Sequence, residues 1–338
     1  MILSTASKAH LHLKCPGWAR VPAPELEDKA GPRALFGTYI HSVAENELNR
    51  QCGVFTGNAI SEKMTAEQEA AFNPHYTPEI GGNMSSEEWG TSVYRLIAEL
   101  RGLFPDIFNW YSEAIHAVGL VTLQSHFEKR DNQGDGPRDY KPLQSFFPPK
   151  EEIIAGTIDF IGSCKTPPNG KTVVVGDWKT GEEPVSPIGN PQLVLAAYNY
   201  GRYYGLNHDD VFYLVIGNIR TGELLMHRCL FSEVTDKANE IISNARKSDL
   251  IPGAQCVNCP KMEKCPAVAK LHVKHPEDPK DWTADQLAIA AMQCRELGKT
   301  YRELLIQKHE TDPNFNTKYL KKGSQGWRLS VYDSQAGK

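Results

Sequence analysis

The 338-residue chain has no run of eighteen consecutive apolar residues, and its first residues lack a charged segment leading into an apolar stretch and a cleavage site. Those absences argue against a membrane-spanning helix and a secretory leader, and the expectation is a cytoplasmic protein. Strong charge of either sign is missing as well. A net charge of −4 and a pI near 6.3 exclude a protein that coats nucleic acid by bulk attraction and leave only a local basic groove for such a role. Cysteine is not scarce: there are eight. In a reducing compartment they are not read as disulfides. Cys52, Cys164, Cys229 and Cys294 have no close sequence partner and read as small buried hydrophobes.

The most informative stretch is residues 171–181, where the β-branched run Val173, Val174, Val175 stops at Asp177 and an amine follows at Lys179. Side chains two apart on a strand project from one face, so the carboxylate and the ammonium share a side. One account is a salt-bridged strand end. The other is metal-dependent phosphodiester cleavage, in which a carboxylate holds a divalent cation and a lysine orients water or stabilises developing charge. Upstream, Glu152–Phe160 reads as a second strand carrying Asp159 among apolar residues, a costly placement unless the charge is paired or binds metal. The intervening Pro167, Pro168, Asn169 and Gly170 are hairpin-loop residues, which brings the two aspartates to neighbouring antiparallel strands. Downstream, Gln192 lies in the first turn of a helix expected over 192–204. Near the start, Ile40, Val43, Ala44 and Leu48 mark a helical stripe with His41 beside it.

Taken together, Gly156-Thr157-Ile158-Asp159, Asp177-Trp178-Lys179 and Gln192 resemble the PD-(D/E)XK nuclease superfamily in its RecB-like branch, and Gly37 with His41 fits that branch's Gly-x-x-x-His helix. The resemblance spans roughly residues 10–270. It implies that His41, Asp159 and Asp177 bind Mg2+ or Mn2+, that Lys179 positions or activates water, and that Gln192 supports Lys179 or the substrate. The family places Tyr four residues after the Gln. Here Ala196 stands at that position, and Tyr198 follows two later. A strand expected within Tyr111–Lys129 ends at Glu128, which the family resemblance makes a further candidate near the metal.

Cys256, Cys259 and Cys265 form a Cys-x2-Cys-x5-Cys run among Pro252, Gly253, Pro260 and Pro266, a rigid loop suited to wrapping a metal centre. Cys15 is the candidate fourth ligand. One early and three late cysteines are the arrangement of the iron–sulfur members of the branch, AddB-like and CRISPR-associated RecB-like exonucleases, which implies a 4Fe-4S cluster. Zn2+ in a four-thiolate site is the competing occupant, because spacing alone does not choose. The expected fold is α/β, a mixed central sheet flanked by helices, with a cysteine-clamped C-terminal extension. Residues 1–270 would form the nuclease domain and 271–338 a helical extension and tail, with an amphipathic helix over Trp282–Glu310 and a hairpin within Tyr319–Tyr332. The implied function is a DNA exonuclease serving phage replication, recombination or end processing, with DNA as substrate, replication or recombination proteins as partners, and self-association open. A non-catalytic DNA-end-binding adaptor and a zinc-clamped regulatory module are the alternatives.

Overall fold

A computed structural model describes residues 1–22, 32–52, 84–107, 109–129, 140–164, 171–181, 184–252, 256, 259, 261, 264–267, 320–323 and 326–329. The chain divides into two units, Met1–Leu250 and Ile251–Lys338. The first unit is built on a seven-stranded mixed sheet. Its strands are β1 (Ile2–Thr5), β2 (Asn109–Gly119), β3 (Ser125–Lys129), β4 (Ile153–Cys164), β5 (Thr172–Lys179), β6 (Val211–Asn218) and β7 (Glu223–Leu230). They run in the order β3-β2-β4-β5-β6-β7, with β1 added to β4. The expected mixed α/β sheet is therefore present.

Both faces of the sheet are covered, which is why β4 and β5 carry nearly continuous apolar runs rather than alternating ones. On one face, α4 (Pro191–Tyr203) and α5 (Phe231–Ala245) pack over Ile158, Ile161, Val173 and Val175. On the other, α2 (Pro32–Cys52) and α3 (Ser86–Leu103) cover Phe160, Val174, Trp178 and Val215. A short α1 (Ala9–Lys14) precedes them. Two of the helices begin at caps that the sequence supplies. Ser85 and Glu88 close a reciprocal capping box on α3, with Glu88 N donating to Ser85 Oγ at 3.2 Å and Ser85 N to Glu88 Oε2 at 2.6 Å. Asn190 accepts from Gln192 N and Leu193 N at the start of α4, and Pro191 fills the first helical position.

Pairing along β4 positions the site. Strand β2 lies along one edge of β4 from Asn109↔Ser163 to Gly119↔Ile153. The other edge is divided: β5 pairs antiparallel with Phe160–Cys164, and β1 pairs parallel with Ile153–Ala155. Residues 156–159 fall between the two partners. Gly156 is needed there because a Cβ would come within 2.5 Å of the Ala6 Cβ and 3.0 Å of His116 Nε2.

One expectation is corrected by the turn at 120–124. The segment 111–129 is two antiparallel strands rather than one, β2 and β3. Glu151 breaks it by accepting from Val121 N, Thr122 N and Thr122 Oγ1 at 2.8–3.0 Å, and Leu123 takes φ +57°. The helix at α4, the helix around His41 and the antiparallel pairing of β4 with β5 all follow the sequence reading. In the second unit, β8 (Leu320–Gly323) and β9 (Gly326–Leu329) form the expected hairpin. The amphipathic helix expected over Trp282–Glu310 lies outside the described residues.

Candidate active site

Strand β5 presents Asp177 and Lys179 toward α4, as the period-two argument requires, while Trp178 between them enters the α2–α3 core. Asp177 is 3% exposed and Asp159 5%. The β4–β5 ladder ends at Phe160↔Gly176, so the next facing positions are the two aspartates. There the Asp159 carboxylate replaces a ladder acceptor, taking a hydrogen bond from Trp178 N at 2.7 Å. Three further contacts close the group. His41 Nδ1 lies 3.1 Å from Asp159 Oδ2, Gln192 Nε2 donates to Asp177 Oδ1 at 3.1 Å, and Lys179 Nζ pairs with Asp177 Oδ2.

Local sequence explains how each partner arrives. In α2, Gly37 lies so near the end of β5 that a Cβ would stand 3.3 Å from Thr180 Oγ1. That close approach lets His41, one turn later, reach the β4 carboxylate. At the other side, the Asn190 cap fixes the first turn of α4 and with it Gln192.

The electrostatics separate the two acids. Burial alone would raise both carboxyls. At Asp159 the neighbouring His41 and the Trp178 N–H outweigh burial and hold it well below the usual carboxylate range. At Asp177 burial and the nearby Asp159 charge prevail over Lys179 and push it up to about 7. Burial pulls His41 toward neutrality, but Asp159 prevails and its pKa lies above the ordinary imidazole value. One acid is thus held ionised and its neighbour held near neutral, the split that acid–base sites use.

Among the described residues no three His, Cys, Asp or Glu side chains form a ready metal cage; His41 is clasped to Asp159, and Asp177 to Lys179 and Gln192, instead. The donor set itself, two carboxylates and an imidazole nitrogen, suits Mg2+ or Mn2+, and a divalent ion would relieve the repulsion that lifts Asp177.

Two candidates are not brought here. Glu128 sits on the edge strand β3 opposite Ile115, with β2 between it and β4, and its Oε2 meets His126 Nε2 at 3.1 Å. Tyr198 is 2% exposed within the α4 core. Burial raises its pKa. Two acidic residues escaped the sequence reading: Glu113 is the unpaired β2 position between Ser112↔Phe160 and Ala114↔Ile158, level with Asp159 in the register, and it holds a left-handed φ of +47°. Glu45, one turn beyond His41, approaches Ser112 Oγ at 3.5 Å. Only strand register identifies such neighbours.

No family model matches the chain, and no curated protein matches it. Among solved structures, one described as "Crystal structure of SSO0001" aligns at 13% identity over 68% of this chain and 96% of that one, with a TM-score of 0.23. At that score the likeness bears on neither fold nor function.

The cysteines fall in both units. In the first, Cys15 is buried with Leu11, Trp18 and Ala19. In the second, Cys256 and Cys265 are buried, Cys259 is half-buried, and Cys259 N donates to Cys256 O at 3.1 Å, a turn across the Cys-x2-Cys step. No helix among the described residues is long and apolar enough to cross a membrane.

Proposed function

We propose that the chain is a metal-dependent nuclease that hydrolyses phosphodiester bonds in DNA. The observation that carries this reading is the meeting of Asp159, Asp177, Lys179, His41 and Gln192, drawn from four separate elements, at the point where the β4–β5 ladder ends. A structural ion pair needs only two of those groups. His41, Asp159 and Asp177 would hold Mg2+ or Mn2+, which when bound polarises the scissile phosphate and makes a neutral-pH nucleophile of water. Lys179, anchored on Asp177, presents a fixed positive charge to the phosphate oxygens. Gln192 holds Asp177 in register from the α4 side. Asp159, kept ionised by His41 and Trp178 N–H, supplies a permanent acceptor.

Support for an exonuclease acting on DNA ends, and for a 4Fe-4S or Zn2+ centre on Cys15, Cys256, Cys259 and Cys265, comes from the sequence resemblance alone. The deciding experiment incubates purified protein with Mg2+ or Mn2+ and end-labelled linear or circular DNA. Cleavage that requires the metal and disappears in Asp177→Asn is the expected result. Metal-independent cleavage, or none with either ion, would remove the assignment. Iron and zinc analysis of anaerobically purified protein tests the thiolate centre separately.

A further inference from the structure

Ten large hydrophobic side chains are exposed among the described residues, and three are aromatic: Phe146 at 45%, Tyr203 at 51% and Tyr204 at 42%. All three belong to one surface. Phe146 stacks on His126 with ring centres 3.9 Å apart and 20° between planes, the His126 ring stands edge-on to Tyr203 at 6.2 Å, and Tyr203 meets Tyr204 at 5.0 Å. Phe127 backs the row from below at 6.5 Å and 6.1 Å from Tyr203 and Tyr204. Three elements contribute: the edge strand β3, the 3-10 turn Lys141–Phe146, and the C-terminal end of α4.

The row is held in place. Gln124 Nε2 donates to Phe146 O at 2.8 Å, Ser145 Oγ donates to Pro142 O at 2.8 Å, and Tyr204 N donates to Tyr200 O at 3.0 Å. Fixed exposed rings cost solvation that a folding core would recover, so a contiguous patch of them marks a contact surface. Glu128, the acidic side chain next to the row, is paired with the His126 ring at 3.1 Å. Exposed, fixed rings match a single nucleic-acid strand, whose unpaired bases stack on aromatic faces. A duplex hides its base faces and offers this row nothing to stack on.

Position agrees with that occupant. Gln192 touches Asp177 from the first turn of α4, and Tyr203 lies eleven residues further along the same helix, about 17 Å at 1.5 Å per residue. We infer that Phe146, Tyr203 and Tyr204 form a base-stacking platform that holds an unpaired strand a few nucleotides from the scissile phosphate. The inference rests on the nuclease reading for its direction, but the binding it describes does not require cleavage.

The test measures binding of a fluorescent oligothymidylate, the same sequence as duplex, and an abasic strand of equal length, all with Asp177→Asn protein in EDTA. Tight binding to the oligothymidylate, with weaker binding to the abasic strand and duplex, is expected. Phe146→Ala and Tyr203→Ala should each weaken the oligothymidylate by roughly 5- to 150-fold, the range for losing one stacked base. Neither should change the abasic strand. Tyr203→Phe should bind as the parent does, and Tyr203→Leu, which keeps the apolar bulk, should not. Equal affinity for oligothymidylate and abasic strand would overturn the platform, as would undiminished binding by folded Tyr203→Leu. Absence of binding to any oligonucleotide would overturn it too and make the face a protein-docking surface. Cleaving wild type combined with unaffected platform variants sinks the platform alone; ring-dependent binding without cleavage by wild type sinks the nuclease reading alone.

Discussion

Acid should destabilise this protein through His116. The side chain is 0% exposed in β2, its Nδ1 accepts from Asn199 Nδ2 at 2.9 Å, and its Nε2 has no hydrogen-bond partner among the described residues. Because an amide nitrogen only donates, the ring proton sits on Nε2, and no acceptor in reach welcomes a second proton. Burial accordingly lowers its pKa to about 3 from an ordinary 6.5. The sign follows from proton counting. Below pH 6.5 the unfolded chain gains a proton at this residue and the folded chain does not, so stability present at neutral pH is lost progressively as pH falls from 6.5 toward 3. At pH 5 the loss is ~2 kcal/mol, from one and a half pH units at 1.36 kcal/mol each. His116→Gln keeps an acceptor for Asn199 without a titrating group. The variant should be less stable than wild type at pH 7.5, by ~1 kcal/mol or more for the altered packing, and the gap should close or reverse by pH 5. Urea titrations of both proteins at the two pH values measure it, and every other ionising group cancels in the difference. Parallel stability–pH curves would show that His116 is protonated, or hydrated, in the folded state.

Other predictions concern the candidate site. Asp177→Asn should remove DNA cleavage while leaving the circular dichroism spectrum unchanged; saturating Mn2+ should raise the melting temperature of wild type but not of the variant, since only a ligand that binds the folded state stabilises it. Lys179→Ala should lower turnover by about 10²-fold or more, as loss of one electrostatic stabiliser does, and calorimetry should still detect Mn2+ binding. Gly37→Val should separate α2 from Thr180 and carry His41 away from Asp159, so its loss of activity should exceed its loss of stability. Wild-type turnover in Gly37→Val would mean that the helix does not set the His41 position.

What the sequence reveals about this site is what short-range pattern encodes. Asp177 and Lys179 are legible because a valine run fixes strand periodicity, and Gln192 because Asn190-Pro191 announces a helix start. Asp159 is legible because a charge among Ile and Phe is out of place. Glu113 and Glu45 are not legible, since the register level of the first with Asp159 and the approach of the second to Ser112 depend on how β2, β4 and α2 lie against one another. The misplacement of Glu128 has the same origin. Its position depends on a turn that Glu151 caps from 29 residues away, and no local signal in 119–124 reports that partner. Tyr198 looks like a site residue by its distance from Gln192, yet helical geometry turns it into the core that α4 shares with the sheet.

The hydrogen bond from Trp178 N to Asp159 has a consequence for how the protein breathes. Most β5 amides are locked into the ladder and exchange with solvent only when strands separate. The Trp178 amide is held by a side chain, and it is released whenever the Asp159 carboxylate swings away, with the sheet otherwise intact. Its hydrogen-exchange protection should therefore fall below that of the Val173–Val175 amides and track the closure of the acid pair rather than global unfolding. That single amide is a built-in gauge of site opening, readable without substrate.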